Sequence, residues 1–84
     1  MHLQAIHDSR NSFYGKAVLK ETVNYVDLIS YTTKVASLNK VDGSITITGY
    51  YSPTTARHIN EFLLQNRFNK LSKKQMELKP TLHK

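Results

Sequence analysis

Hydroxyl and imidazole side chains crowd the stretch YYSPTTARHINEFLLQ, residues 50–65. A serine or threonine beside a histidine can act as a nucleophile with a general base, so Ser52, Thr54, Thr55 and His58 are the first candidates for catalysis. However, Ser and Thr are also the preferred residues at a helix N-cap, and Pro53 suits the first helical position. The stretch therefore predicts the start of a helix rather than a catalytic centre.

The histidines and acidic residues show no pattern of a metal site. His2, His7, His58 and His83 have no carboxylate partner at helical spacing, and the separation of His2 and His7 fits neither one helix face nor one strand face. The absence of cysteine excludes a thiolate zinc site and a disulfide framework. With three glycines there is no phosphate-binding loop. We expect no metal, no cofactor and no enzymatic activity.

The positive charge is concentrated in the C-terminal part of the chain. Residues 1–66 carry six Lys/Arg and five Asp/Glu, whereas residues 67–84 carry six and one, which together give the net charge of +6. A length of 84 residues fits one domain that buries only about 60–65% of its unfolded surface. We expect a single domain over residues 1–68 and a basic extension over residues 69–84, which would attract phosphate or acidic protein surfaces.

The sequence gives no sign of export or membrane insertion. The start MHLQAIHDSR lacks a basic region followed by an apolar core. No apolar run approaches the ~20 residues of a membrane-spanning helix. We therefore expect a cytoplasmic protein with no membrane partner.

Three segments have the pattern of strands. Residues 16–20 alternate, with Ala17 and Leu19 on one side, and residues 26–38, VDLISYTTKVASL, read as one long strand because they are rich in β-branched and aromatic residues. SITITGYY is the clearest strand. Its alternation predicts an inner face with Ile45, Ile47, Gly49 and Tyr51. The predicted outer face has Ser44, Thr46, Thr48 and Tyr50.

Asp42-Gly43 is the strongest hairpin signal, because Gly43 can adopt the positive φ of a tight reversal. A two-residue turn would bring Ala36 and Leu38 beside Ile47, whereas a three-residue loop with a glycine bulge would bring Val35 and Tyr31 to that face. A bulge near Val35-Ala36 would let the strand bury each set in turn, and this solution is favoured.

Helical signals follow the last strand. Ser52 is the expected N-cap, and one stripe faces the sheet: Thr55, Ala56, Ile59, Phe62, Leu63 and Asn66. Arg57 and Glu61 are expected as an exposed ion pair on the opposite side. Ser72 and Gln75 form a capping box that predicts a short helix over residues 73–78, followed by a frayed end. The predicted fold is α+β: a three-stranded antiparallel sheet packed on one amphipathic helix (β-β-β-α), with a short C-terminal helix.

The segments SFYGKA, SYTTKVA and SPTTARHINEFLLQ, in this order, resemble a family of small uncharacterised proteins from bacteriophages and Firmicutes. The similarity covers roughly residues 12–75. A glycine often follows the helix in that family, where this chain has Arg67. The resemblance implies a phage-type accessory protein that acts in the cytoplasm of a bacterial host, and it implies no activity.

The first functional hypothesis is nucleic-acid binding through the outer face of the sheet and the basic tail. Lysine, threonine and tyrosine side chains on a flat sheet suit contacts to phosphates and bases. An exposed antiparallel face is normally polar in any case, and this one lacks arginine. The candidate nucleic-acid-binding residues are Lys16, Lys20, Lys34, Tyr50, Arg57, Lys70, Lys73 and Lys74.

The alternative is a protein-binding inhibitor of a host factor or defence system, in the manner of an anti-CRISPR protein. Leu64 and Phe68 would be exposed apolar residues beside Arg57 and His58, and together these four would contact an acidic host protein surface. Phe68 could instead fold under the domain at the end of the helix. A homodimer formed through an edge strand is a further alternative.

Overall fold

The computed structural model describes Leu3 and residues 16–83. Along the chain, the elements are β1 (Ala17–Glu21), β2 (Tyr25–Ser30), β3 (Thr33–Asn39), β4 (Ile45–Ile47), α1 (Pro53–Gln65), α2 (Lys73–Glu77) and β5 (Thr81–Leu82). The strands form one sheet in the order β1-β2-β3-β4-β5, and each pair of neighbours is antiparallel. The predicted α+β class with an antiparallel sheet is confirmed, but the three-stranded sheet is wrong. His2, His7 and the SFYG of the quoted segment SFYGKA lie outside the described residues.

The segment predicted as one long strand is a hairpin, because the chain reverses at Tyr31-Thr32 between β2 and β3. Tyr31 has a φ of 58°, and its amide donates a hydrogen bond of 2.8 Å to the Lys16 carbonyl at the start of β1. Positive φ is rare for a bulky residue and is tolerated where the surrounding structure holds it. No glycine, proline or asparagine marks this turn, so the sequence prediction missed it.

The predicted bulge in β3 is confirmed. The pairing of β2 with β3 shifts at the Leu28-Ile29 step, so that Val35 is the extra residue. As a result, Val35 and Ala36 are both buried although they are consecutive in a strand. Beyond the bulge, Ala36 pairs with Ile47. This is the register that was predicted for a two-residue Asp-Gly turn.

The loop between β3 and β4 is longer than either predicted turn. The amide of Asn39 donates to the carbonyl of Ser44, and the amide of Gly43, at a φ of 76°, donates to the carbonyl of Asn39, each at 2.8 Å. The Asp42 carboxylate accepts a hydrogen bond of 2.9 Å from the Ser44 amide. Hydrogen bonding from Ser44 holds the pKa of Asp42 below its ordinary value.

Helix α1 begins as predicted and covers the inner sheet face. The Ser52 hydroxyl accepts a hydrogen bond of 3.1 Å from the Thr55 amide, with Pro53 next to the cap. The helix packs against β2 and β3, and its buried residues are Thr55, His58, Ile59, Glu61, Phe62 and Leu63. The expected exposure of Glu61 on the outer side of α1 is therefore wrong. Glu61 lies inside, where it accepts a hydrogen bond of 2.7 Å from Gln65.

The end of α1 is a left-handed cap that contains arginine. Arg67 has a φ of 66°, and its amide donates to the Leu64 carbonyl at 3.1 Å. The next amide, of Phe68, donates to the Leu63 carbonyl at 2.9 Å. These two bonds define a Schellman motif, in which glycine is the usual residue at the position of Arg67.

The C-terminal segment folds onto the sheet instead of fraying. The capping box at Ser72 is confirmed, and α2 places Met76 in the core. The strand β5 pairs with β4, and the Ile47 amide donates to the Pro80 carbonyl at 2.9 Å. The expectation of a frayed end is wrong for the described residues, because contacts with β4, distant in sequence, order this segment.

Candidate functional site

The outer face of the sheet is polar, as predicted, but its centre carries an acid. One row crosses all five strands, from Lys20 through Asp27, Ser37 and Thr46 to Thr81. The Ser37 hydroxyl donates a hydrogen bond of 2.6 Å to the Asp27 carboxylate. Asp27 was missed in the sequence because it fell inside the long apolar strand. Its charge offsets that of neighbouring Lys20, so the middle of the sheet is a poor site for phosphate.

The two tyrosines after β4 have exchanged their predicted places. Gly49 adopts a φ of 150°, which interrupts the alternation that the sequence pattern assumed. Tyr50 consequently packs against the core, whereas Tyr51 is 47% exposed. The Tyr51 hydroxyl lies 2.9 Å from the hydroxyl of Thr48. The prediction that Tyr51 closes the core and Tyr50 faces outward is wrong.

Lysines and tyrosines meet where the outer sheet face reaches the C-terminal segment. Thr48, beside Tyr51, donates a hydrogen bond of 3.0 Å to the Lys34 carbonyl, which fixes Tyr51 near the backbone of Lys34. The Lys73 ammonium lies 5.1 Å from the centre of the Tyr50 ring, a cation–π contact. We define the lysine–tyrosine surface as Lys34, Tyr50, Tyr51, Lys73 and Lys79.

A shallow open groove lies within the lysine–tyrosine surface. Its volume is about 280 Å³, and its lining residues are Thr48, Gly49, Tyr50, Tyr51, Glu77 and Lys79. Lys79 has a φ of 53°, and its amide donates to the Met76 carbonyl at 3.0 Å, which closes α2. The groove therefore joins the β4–α1 connection to the end of α2.

The other predicted nucleic-acid-binding residues are spread over the molecule. Lys16 is exposed at the same end of the sheet as Tyr31, whose amide contacts its carbonyl. Lys70 and Lys74 are exposed on the α1–α2 connection and on α2. Arg57 is half-buried on α1. The structure thus brings together Lys34, Tyr50 and Lys73 of the predicted set and adds Tyr51 and Lys79.

The four predicted partner-binding residues do not form an exposed apolar patch. His58 is completely buried, and Phe68 packs against the core at the end of α1. Leu64 and Arg57 are half-buried. The expected exposure of His58 and Phe68 is wrong, because α1 is buried on more than the single stripe that its apolar residues indicated.

His58 belongs to a buried polar cluster that the sequence did not indicate. The Ser30 hydroxyl lies 2.9 Å from both the Thr55 hydroxyl and Nδ1 of His58. A hydroxyl beside an imidazole is the arrangement of an activated nucleophile. Here Ser30 is only 2% exposed, so a substrate cannot reach it. The cluster instead links α1 to the end of β2 through buried hydrogen bonds.

The described residues offer no support for a metal site. In Leu3 and residues 16–83, no group of three or more His, Asp or Glu side chains is arranged to hold an ion. Over the same residues, neither helix is long and apolar enough to cross a bilayer. The homodimer through an edge strand stays a prediction.

Comparison with known proteins identifies a family but no function. A family model described as "Family of unknown function (DUF8033)" matches residues 1–78. No curated protein and no solved structure matches the chain. The match supports the predicted membership of an uncharacterised family.

Proposed function

The chain belongs to this family of unknown function, and we propose that it is a small phage-type accessory protein that binds nucleic acid in the cytoplasm of a bacterial host. The observation that carries the proposal is the lysine–tyrosine surface. There, three ammonium groups and an exposed aromatic ring are drawn from β3, the β4–α1 connection and the C-terminal segment.

Charge and ring chemistry support this choice over the rest of the surface. Lysines supply sequence-independent attraction to phosphates, and exposed aromatic rings supply stacking platforms for bases. Tyr31, which is 53% exposed, adds a second ring at the same end of the sheet as Lys16. The middle of the sheet, where Asp27 is paired with Lys20, is less suited, so we place the binding surface at this end rather than across the whole face.

The proposal is tested by fluorescence anisotropy with labelled oligonucleotides and charge variants. For single-stranded nucleic acid, each phosphate contact lowers the logarithm of the binding constant by about 0.7 for a tenfold rise in salt. Each contact therefore makes binding about fivefold tighter at ~0.1 M salt than at ~1 M salt. K34Q/K73Q should therefore weaken binding about 25-fold at ~0.1 M salt. K40Q is the matched control, because Lys40 lies at the opposite end of the sheet, where its ammonium contacts Glu21.

Two outcomes would reject the proposal. The first is the absence of binding by the wild-type protein at low salt. The second is an equal loss of affinity in K40Q and in the single variants K34Q and K73Q, because this result would mean that net charge alone governs association. The ultraviolet 260/280 ratio of the freshly purified protein provides an early indication of bound nucleic acid.

A second candidate function, binding of a host protein, is favoured by a different surface from the one expected. Val23, in the β1–β2 turn, is 89% exposed, and Val41, in the β3–β4 loop, is 81% exposed. The Lys40 amide donates to the Asn24 carbonyl at 2.8 Å, so the two turns lie side by side. Neighbouring exposed valines are apolar surface for which the described fold has no use.

The test of this candidate is a pull-down from nuclease-treated bacterial lysate. If the valines bind a host protein, one stoichiometric partner is retained by the wild type and lost with V41D. L78D is the control, because Leu78 is 80% exposed but lies at the end of α2. Retention of the partner by V41D, or its loss with both variants, would exclude the valine surface as the contact.

A further inference from the structure

The groove in the lysine–tyrosine surface contains one feature that phosphate binding does not use. Glu77 places a carboxylate among Tyr50, Tyr51 and Lys79. A carboxylate repels phosphate, and α2 would lose little by having another helix-forming residue at this exposed position. Among the described residues, no ion pair within 4.0 Å engages Glu77. The carboxylate is therefore available to a ligand.

The open groove has room for a flat polar ring beside its tyrosines. A volume of about 280 Å³ suits a small ligand rather than a protein side-chain cluster. Tyr51, roughly half exposed, offers a ring for stacking, and base–aromatic stacking contributes about 1–3 kcal/mol per base. Lys79 on the wall and Lys73 over Tyr50 lie where the phosphates that flank a bound base could be contacted.

The carboxylate selects among the bases by its hydrogen-bonding capacity. An ionised carboxylate has two oxygens, and both only accept hydrogen bonds. Guanine presents two neighbouring donors, N1–H and the N2 amino group, on its Watson–Crick edge. Adenine and cytosine present one amino group there, and thymine and uracil present one ring N–H. Guanine is thus the base whose donors match both oxygens of Glu77.

The Watson–Crick edge is accessible only in an unpaired base. A duplex would hold this edge in base pairs, where Glu77 could not contact it. We propose that the groove binds a guanine base of a single-stranded nucleic acid, with Glu77 as the specificity-determining residue and Tyr51 as the stacking residue. This inference rests on the proposed nucleic-acid binding of the lysine–tyrosine surface.

The experiment compares affinities for short thymine oligonucleotides with and without isolated guanines, measured by anisotropy with the full chain. The wild type should prefer the guanine-containing strand about tenfold, within the range of discrimination that bidentate base contacts give. Replacement of guanine by inosine, which lacks the N2 amino group, should remove most of this preference. Uridine-based RNA strands of the same design should show the same order, and the paired duplex should bind more weakly.

Two variants separate base selection from general affinity. E77Q should abolish the preference for guanine and raise affinity for the thymine strand, because the negative charge that repels phosphate is removed. Y51A should weaken binding to both strands. Circular dichroism and a thermal melt confirm folding of E77Q, in which an exposed residue at the end of α2 is replaced.

The outcomes distinguish the two proposals. Binding of single strands without guanine preference, or a preference that survives in E77Q, overturns this inference and leaves the proposed function standing. Stronger binding to duplex than to single strand also overturns it. If the wild type binds no oligonucleotide at low salt, the proposed function and this inference fall together.

Discussion

Replacement of Arg67 by glycine should stabilise the protein, although it removes a side chain and adds none. Arg67 occupies the left-handed position of the Schellman motif that ends α1, with a φ of 66°. The left-handed conformation costs an L-residue about 1–2 kcal/mol, a cost that glycine does not carry. Glycine in turn loses about 0.5–1 kcal/mol more backbone entropy on folding. The net expectation for R67G is an increase of about 0.5–1 kcal/mol in the free energy of unfolding.

The assay is urea denaturation followed by circular dichroism, together with a thermal melt. A domain of this size gains about 4–8 °C in Tm per kcal/mol, so R67G should melt about 2–8 °C higher. R67A is the control, because it removes the same charge and keeps the strained φ, and it should show no such gain. If R67G is no more stable than R67A, the reasoning from the left-handed cap is refuted.

Three further results are expected. M76A should lower the free energy of unfolding by about 2–5 kcal/mol, because Met76 is fully buried, whereas L78A should change it by less than about 0.5 kcal/mol. S52A should cost about 1 kcal/mol through loss of the cap of α1, also measured by urea denaturation. The hydrogen bond and the charge of Lys40 lower the pKa of Glu21, so this pair should stabilise the fold above the ordinary glutamate pKa and lose that effect as pH falls through the lowered folded-state value. K40Q should remove this part of the acid sensitivity in a pH series of thermal melts, and an unchanged pH profile would contradict it.

Local chemistry explains which elements were predictable from the sequence. Ser52 with Pro53, and Ser72 with Gln75, specify helix starts within four residues of the chain, and both caps form as expected. Gly43 likewise marks its loop through its own φ. Each of these signals acts without help from distant residues.

Elements that depend on distant partners were not predictable in the same way. Tyr31 adopts a left-handed turn without any turn-forming residue, held by the carbonyl of Lys16. Strand β5 has two residues and forms because β4 presents a free edge to it. Neither a local propensity nor a hydrophobic pattern contains this information.

The candidate site also combines residues that the sequence indicated with residues that only the tertiary structure brings there. Lys34, Tyr50 and Lys73 could be named from residue type and a flat-sheet argument. The inclusion of Lys79 and Glu77 required knowing that the chain after α2 returns to β4. Gly49 was a visible signal that was misread, since a glycine before two tyrosines breaks the strand alternation and exchanges their places. His58 and Glu61 were misplaced because a polar residue on a helix is normally exposed.

The most direct test of the central claim is the salt dependence of binding to a single-stranded oligonucleotide. The slope of log Kd against log salt counts the phosphate contacts, at about 0.7 for each contact with a single strand. The triple variant K34Q/K73Q/K79Q should lower the slope of the wild type by about 2, whereas K40Q should leave it unchanged. A wild type that does not bind at low salt, or a triple variant whose slope equals that of the wild type, would contradict the assignment of the lysine–tyrosine surface to nucleic acid.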